Sequence, residues 1–313
     1  TGYSQGGHVA MATHRAMQAA GMPVTASAPM SGPYAVGAFM DAVFYGNVNL
    51  GSTVFSPLLI NSYQKAYGNL YTNLTDIYEP AYAAGIDSLL PSTTPSTTLF
   101  AQGKLPQTQL FSSTAPAAPF AAITPPTTPA AQAPLFAMGF GTANLINNAT
   151  RLAYLLDAQA HPDGAVPTPT TGTRATGSTN RMRTAAIAND LRTWTPLRPM
   201  LLCGGSGDPT VFYSANTQVM QGYWSAPSPA AAPAGILNVL NVDSAITGAS
   251  DPYASAKGGF ALTKTNTATA AVAAGATDGG ASAVIQAYHG SLVPPFCNAA
   301  ARGFFQKVLA AGI

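Results

Sequence analysis

The residues with the most chemistry in them stand at the start of the chain. Gly2-Tyr3-Ser4-Gln5-Gly6 places a serine with a glycine two residues before it and two after. This G-x-S-x-G spacing suits a nucleophile on a sharp strand-to-helix turn. Strained backbone lifts the hydroxyl clear, and the glycines spare the Cβ atoms that would collide there. The following helix points free N–H groups and partial positive charge at the reacting oxygen. The N–H of Gln5 is then one donor of an oxyanion hole, and the second is expected from a loop early in such a fold, upstream of these residues. Tyr3, beside the serine, is the candidate substrate contact. Thr1 is a second nucleophile pattern, a hydroxyl beside an amine, but the serine turn adjoining it takes precedence.

A serine hydroxyl is a weak nucleophile until a base takes its proton and a third group orients that base. In the chain order Ser, acid, His, the acid is expected to follow a strand and the histidine to lie further on. Asp208 comes after the apolar run 199–203 and a Gly-rich loop, and His289 follows it well downstream. Ser4 is therefore read as nucleophile, His289 as general base and acid, and Asp208 as the group that holds the imidazole tautomer. Asp243, at the end of the next apolar run, and Asp251 are the rival acids. Asp208 could also simply cap the helix that starts after Pro209. Of the other histidines, His8 and His14 lie on the helix leaving the turn, too near Ser4 in sequence to fold back over it, and His161 sits in a loop expected to be solvated.

Composition narrows the field. Charged residues make up 8% of the 313 residues and the formal net charge is +2, with basic residues scattered, which is not the footprint of a nucleic-acid binder. Hydrophobic residues at 47% are ample for a core. No apolar run is long enough for a membrane helix, and no signal peptide is visible. The two cysteines and four histidines are dispersed, with no metal-ligand spacing, so no metal or cofactor is expected. Cys203 precedes Asp208 and Cys297 follows His289, so a bridge between them would tether the acid's strand to the histidine's loop. Buried free thiols are the alternative. The low charge points to an exported, secreted or periplasmic protein and favours the disulfide.

The elements that must position these groups form an α/β pattern. Residues 1–33 read as turn, helix (7–20) and strand (24–30). From 34 to 196 the strand–helix alternation fails. Helical lengths occur at 35–45, 57–67, 69–90 and 135–156, an extended Thr/Pro/Ala loop at 91–134, and a flexible loop at 161–179. A helix at 180–194 is expected to turn Arg181, Arg183 and Arg192 to water. An insertion of this size reads as a cap over the serine, with apolar residues that select substrate. Helical decoration without a part in binding is the plainer reading. The core resumes over 197–313, with strands at 199–203 and 236–242 and helices at 212–223, 253–275 and 299–310.

GYSQGGHVA, the strand followed by GDPTVF, and His289-Gly290 before a terminal helix together resemble the α/β-hydrolase superfamily. Within it the chain looks like bacterial secreted lipases and esterases with a large helical cap; YGNLY at 67–71 and LLP at 89–91 are similar to the cap of such proteins. The resemblance implies an α/β-hydrolase fold represented by the C-terminal portion of its sheet, with the usual N-terminal half absent. It implies a serine ester hydrolase working through an acyl-enzyme, without cofactor, on a small or lipid-like ester. A serine peptidase on the same fold, or a truncated non-catalytic module, remains open.

Overall fold

The computed structural model describes residues 1–225 and 227–312. The chain forms two compact units, Thr1–Val36 with Leu191–Ile313, and Gly37–Asp190.

The first unit is built on a parallel sheet of four strands in the order β1 (Gly2–Tyr3), β2 (Pro29–Met30), β3 (Met200–Gly204) and β4 (Leu237–Asn241). Every residue of β3 is buried. A continuous apolar run is what a parallel strand covered on both faces requires. It registers with β4 from Met200 opposite Leu237 to Gly204 opposite Asn241. The strand expected at 24–30 pairs only in part, through a bridge from Ser27 to Met200 and the two residues of β2. Pro29 has no N–H to give the ladder, so regular pairing is short there.

Helix α1 (Gln5–Ala19) leaves β1 and buries Gly7, Met11 and His14, a spacing of four and three that lays one stripe on the sheet. After β3 come α2 (Thr217–Trp224), then β4, then α3 (Ala254–Ala273). The threonines that argue against a helix here are accommodated. Thr263, Thr265 and Thr267 each turn their hydroxyl back onto the carbonyl four residues earlier. Helix α4 (Ala281–Ala287) passes through a π-helical turn, Tyr288–Leu292, into α5 (Val293–Ala310). This last helix starts earlier than the expected 299, because Pro294 and Pro295 fall in its first turn, where a missing N–H forfeits no intrahelical bond. Met30, Leu201, Cys203, Leu240, Phe260, Tyr288 and Cys297 share one core.

The second unit is mainly helical. Its longer helices are Val36–Tyr45, which begins at the unit boundary, Ser52–Tyr67, Asn148–Ala160 and Arg181–Ala188, with a parallel pair of two-residue strands, Phe111–Ser112 and Phe140–Gly141. Two expected helices are broken. Over 69–90 only short turns form, at Leu74–Asp76, Pro80–Ala83 and Ile86–Leu89, separated by Pro80 and by Gly85 in the left-handed region. Over 135–156 the chain breaks at Gly139, where a Cβ would lie 2.3 Å from Val48.

The arginines expected to face water do so only at Arg181. Arg183 and Arg192 are buried, Arg183 completely. Its guanidinium forks onto Asp41, with Nε to Oδ1 at 2.8 Å and Nη2 to Oδ2 at 2.7 Å, and reaches Asp157 at 3.5 Å. The Tyr154 hydroxyl donates to the same Asp41 carboxylate at 2.7 Å. Among the described residues no helix is long and apolar enough to cross a membrane.

Candidate functional site

Ser4 sits between β1 and α1 with φ 57° and ψ −124°, a backbone conformation rare for a residue with a side chain. Its N–H donates to the Met30 carbonyl of β2 at 2.9 Å, and its carbonyl accepts from Gly7. The surrounding glycines divide their work differently from the spacing rule. A Cβ on Gly2 would lie 2.1 Å from the Gly6 carbonyl oxygen across the turn. A Cβ on Gly6 would meet nothing within 4 Å. The second close approach is at Gly7, where a Cβ would be 2.5 Å from the Met30 carbonyl oxygen. The turn therefore needs Gly2 to close and Gly7 to let α1 lie on β2. Gln5 opens α1, and its N–H is one of those that a helix leaves without an internal partner.

His289 lies in the π-helical turn before α5. Its Nε2 is 2.8 Å from Ser4 Oγ and its Nδ1 is 2.7 Å from Asp208 Oδ2. Asp208 is 1% exposed. Its other oxygen, Oδ1, accepts from the N–H groups of Thr210 and Val211 at 2.9 and 3.0 Å. A carboxylate only accepts. The bond to Asp208 therefore fixes the proton on Nδ1, which leaves Nε2 free to accept from the serine hydroxyl. No helix starts after Pro209: the helix expected from 212 begins at Thr217, and the Asp208 oxygen that does not face the histidine closes the turn at 209–211 instead.

The other candidates are placed elsewhere. Asp243 Oδ2 accepts from the Tyr288 hydroxyl at 2.5 Å, and the same carboxylate is held by Lys264. Asp251 pairs with Lys257 at 2.7 Å. His8 Nδ1 is 2.8 Å from the Pro33 carbonyl oxygen. His14 is 2% exposed, its Nδ1 is 2.8 Å from Ser27 Oγ, and its Nε2 is buried with no hydrogen-bond partner. Burial pushes the His14 imidazole down to about 4. His161 belongs to the second unit, half-buried against Gly177. Tyr3, expected to touch substrate, has its hydroxyl engaged by the protein: it donates to the His289 carbonyl at 2.6 Å, and the two rings lie 5.1 Å apart. Burial, with a smaller contribution from Asp208, holds the Tyr3 phenol well above its ordinary range.

Two further links join the segments that carry Asp208 and His289, the first between β3 and α5 that flank them. Cys203 and Cys297 form a disulfide with Cα atoms 5.6 Å apart. The second link was not read from the sequence. The Tyr288 hydroxyl accepts from the Gly207 N–H at 2.9 Å while donating to Asp243. The only sequence signal for it was a tyrosine next to the histidine, opposite a loop unusually rich in glycine.

No family model matches the chain, and no curated protein sequence does either. Similar solved structures include the rice cell wall degrading esterase LipA from Xanthomonas oryzae, at 21% identity and a TM-score of 0.51 over 91% of this chain and 56% of that one. A ligand-bound form of the same esterase matches at 21% identity and 0.52, over 93% and 57%. The chain thus spans a little over half the length of those proteins. With a parallel sheet, a strained serine turn between strand and helix, and a large, mainly helical insertion between the strand after Ser4 and the strand before Asp208, the chain has an α/β-hydrolase fold.

Proposed function

We propose that this chain carries the catalytic groups of a serine-type carboxylic ester hydrolase. The carrying observation is the hydrogen-bonded series Ser4 Oγ, His289 Nε2 and Nδ1, and Asp208 Oδ2, with both links under 3 Å. In this reading His289 takes the Ser4 proton as Oγ attacks the ester carbonyl carbon. The Gln5 N–H, at the positive end of α1, stabilises the oxyanion that develops. The tetrahedral intermediate collapses as His289 returns the proton to the departing alcohol, leaving an acyl-serine. Water then attacks the acyl carbon as His289 takes its proton, and the second tetrahedral intermediate collapses with the bond to Ser4 Oγ breaking as His289 returns that proton to Oγ, so the acid is released and the serine is restored. Asp208 stabilises the imidazolium at each stage and keeps the ring in one tautomer. No cofactor enters this scheme.

The likeness in fold to a protein described as an esterase supports an ester as substrate. The disulfide and the low charge content support an exported protein. To the same reading belongs the assignment of 34–196 as a cap that selects the acyl group. It is supported by chain order, since Ser4 precedes the segment and Asp208 and His289 follow it.

The test is to treat the full-length protein with a fluorophosphonate and map the adduct, alongside p-nitrophenyl ester hydrolysis by wild type and Ser4→Ala. The reading expects the label on Ser4 and loss of turnover in the variant by about 10⁶. An active preparation labelled elsewhere, or an unimpaired Ser4→Ala, overturns it.

A further inference from the structure

We infer that Tyr288 is a positioning residue for the hydrolysis, its hydroxyl setting Asp208 against His289 by bridging the Gly207 N–H and the Asp243 carboxylate. The inference rests on the ester hydrolase reading and deepens it.

The argument begins with the acid's loop. Gly204-Gly205-Ser206-Gly207 is the sequence a chain uses when it must bend freely, and glycine loses the most conformational entropy on ordering. Yet Asp208 must hold one oxygen within hydrogen-bonding distance of an imidazole on another segment. The disulfide fixes the loop's base, five residues earlier in sequence at Cys203. Ser206 N–H donates to Asn241 Oδ1 at 3.0 Å, which holds the loop's outer side to the end of β4. The residue immediately before Asp208 is held by Tyr288, and Tyr288 immediately precedes His289 in sequence. One phenol therefore ties together the residues adjoining the acid and the base.

The glycines are shaped to this tyrosine. A Cβ on Gly205 would lie 2.6 Å from the Tyr288 hydroxyl oxygen. A Cβ on Gly207 would lie 3.0 Å from both the Tyr288 ring and Asp243 Oδ2. The loop is Gly-rich because a phenol packs where its side chains would be.

Asp243 gives the bridge its strength. It accepts from the Tyr288 hydroxyl at 2.5 Å, and a donor polarised in this way is a better acceptor for the Gly207 N–H. Lys264 Nζ, 2.8 and 3.0 Å from the two Asp243 oxygens, balances the charge from the solvent side. Asp243 is thus a second carboxylate near the site that acts through Tyr288 and does not touch the imidazole.

The experiment uses the full-length protein and an ester substrate. Tyr288→Phe keeps the ring that fills the space over the glycines and removes the bridge. It should lower kcat about tenfold, the cost of one hydrogen bond lost from the geometry of the reacting groups, and leave KM within about twofold. The low-field NMR signal of the His289 Nδ1 proton should weaken or shift in the variant. Asp243→Ala, which strips the phenol of its acceptor, should reproduce the loss. Asp243→Asn, which keeps an acceptor oxygen, should restore most of the rate. This pair also decides the matter if Tyr288→Phe does not fold. Tyr288→Phe turnover equal to wild type, or Asp243→Ala and Asp243→Asn with the same rate, overturns the inference while Ser4-dependent hydrolysis persists in wild type. Wild-type hydrolysis that does not depend on Ser4 instead removes the hydrolase reading, and this inference with it.

Discussion

Replacing Asp208 by asparagine should silence the site without unfolding it, and the reason lies in the oxygen that does not touch the histidine. Oδ1 accepts from two backbone N–H groups, those of Thr210 and Val211. An amide nitrogen cannot accept, so in Asp208→Asn the amide oxygen must stay with those donors and the NH2 must turn to His289. His289 Nδ1 then has to accept, which moves the ring proton to Nε2, the nitrogen 2.8 Å from Ser4 Oγ. A protonated Nε2 cannot take the serine's proton. The same exchange in a serine protease lowers kcat by about 10⁴, or about 5 kcal/mol of transition-state stabilisation at 1.36 kcal/mol per decade. Because both backbone hydrogen bonds survive, the urea unfolding free energy should stay within about 1 kcal/mol of wild type. Asp243→Asn should lose at most a few-fold, since Asp243 meets the phenol and not the imidazole. The assay is steady-state ester hydrolysis on matched preparations, with fluorophosphonate labelling rates as a second readout of serine reactivity. If Asp208→Asn keeps more than about a tenth of wild-type turnover, or Asp243→Asn is the more damaged variant, the tautomer argument fails and Asp208 only closes a turn.

Two further outcomes concern stability. The His14 imidazole is pushed down to about 4 by burial, whereas in the unfolded chain it titrates near its ordinary value. The unfolded state therefore binds the extra proton first, and stability present above about pH 6.5 is lost as pH falls toward 4, by about 2 kcal/mol between pH 7 and pH 5. Urea melts should show this slope in wild type and a shallower one in His14→Gln, and equal slopes would refute it. Arg183→Met leaves the Asp41 carboxylate buried without its fork and should cost about 3–5 kcal/mol in the same measurement, with Asp41→Asn added to the variant recovering part of the loss. A single variant as stable as wild type would show that the ion pair contributes nothing.

Much of the site's layout was legible because it rests on local rules. A strained serine turn needs glycine beside it, an acid at a strand end follows an apolar run, and the order Ser, Asp, His left few candidates. Those three side chains are brought within hydrogen-bonding reach of one another. What escaped notice depends on contacts between distant segments. The need for glycine at position 7 and not at 6 comes from where α1 meets β2, and no spacing rule carries that. The bridging role of Tyr288 depends on Asp243, 45 residues away in sequence. The helices expected at 69–90 and 135–156 are broken because single breakers outweigh aromatic and apolar content. Pro80 starts a new turn and Gly85 takes the left-handed region in the first, and the helix ends at Met138 before Gly139 in the second.

The arginines are the instructive failure. The chain has 13 basic and 11 acidic residues in 313, and the general rule that ionised groups prefer water turns Arg181, Arg183 and Arg192 outward. Nine of the charged residues are buried: Asp41, Arg151, Asp157, Asp163, Arg183, Asp190, Arg192, Asp208 and Lys257. The rule assumes charges numerous enough to cover a surface. Here the exposed surface is made largely of alanine, threonine, proline, glycine and serine, and much of the charge fixes tertiary contacts. Arg151 shows how far this goes. Its guanidinium lies 4.6 Å from the Phe111 ring centroid and 5.0 Å from that of Phe140, while its Nε donates to the Phe44 carbonyl at 3.2 Å. Burial lowers its affinity for the proton to about 10. A cation held by ring faces and a carbonyl ties the helix carrying Phe44 to the paired strands carrying Phe111 and Phe140. In a chain this poor in charge, an arginine or aspartate on the amphipathic face of an expected helix is better read as a tie between segments than as a solvated residue, and Asp208, buried and shared between a turn and an imidazole, obeys the same logic.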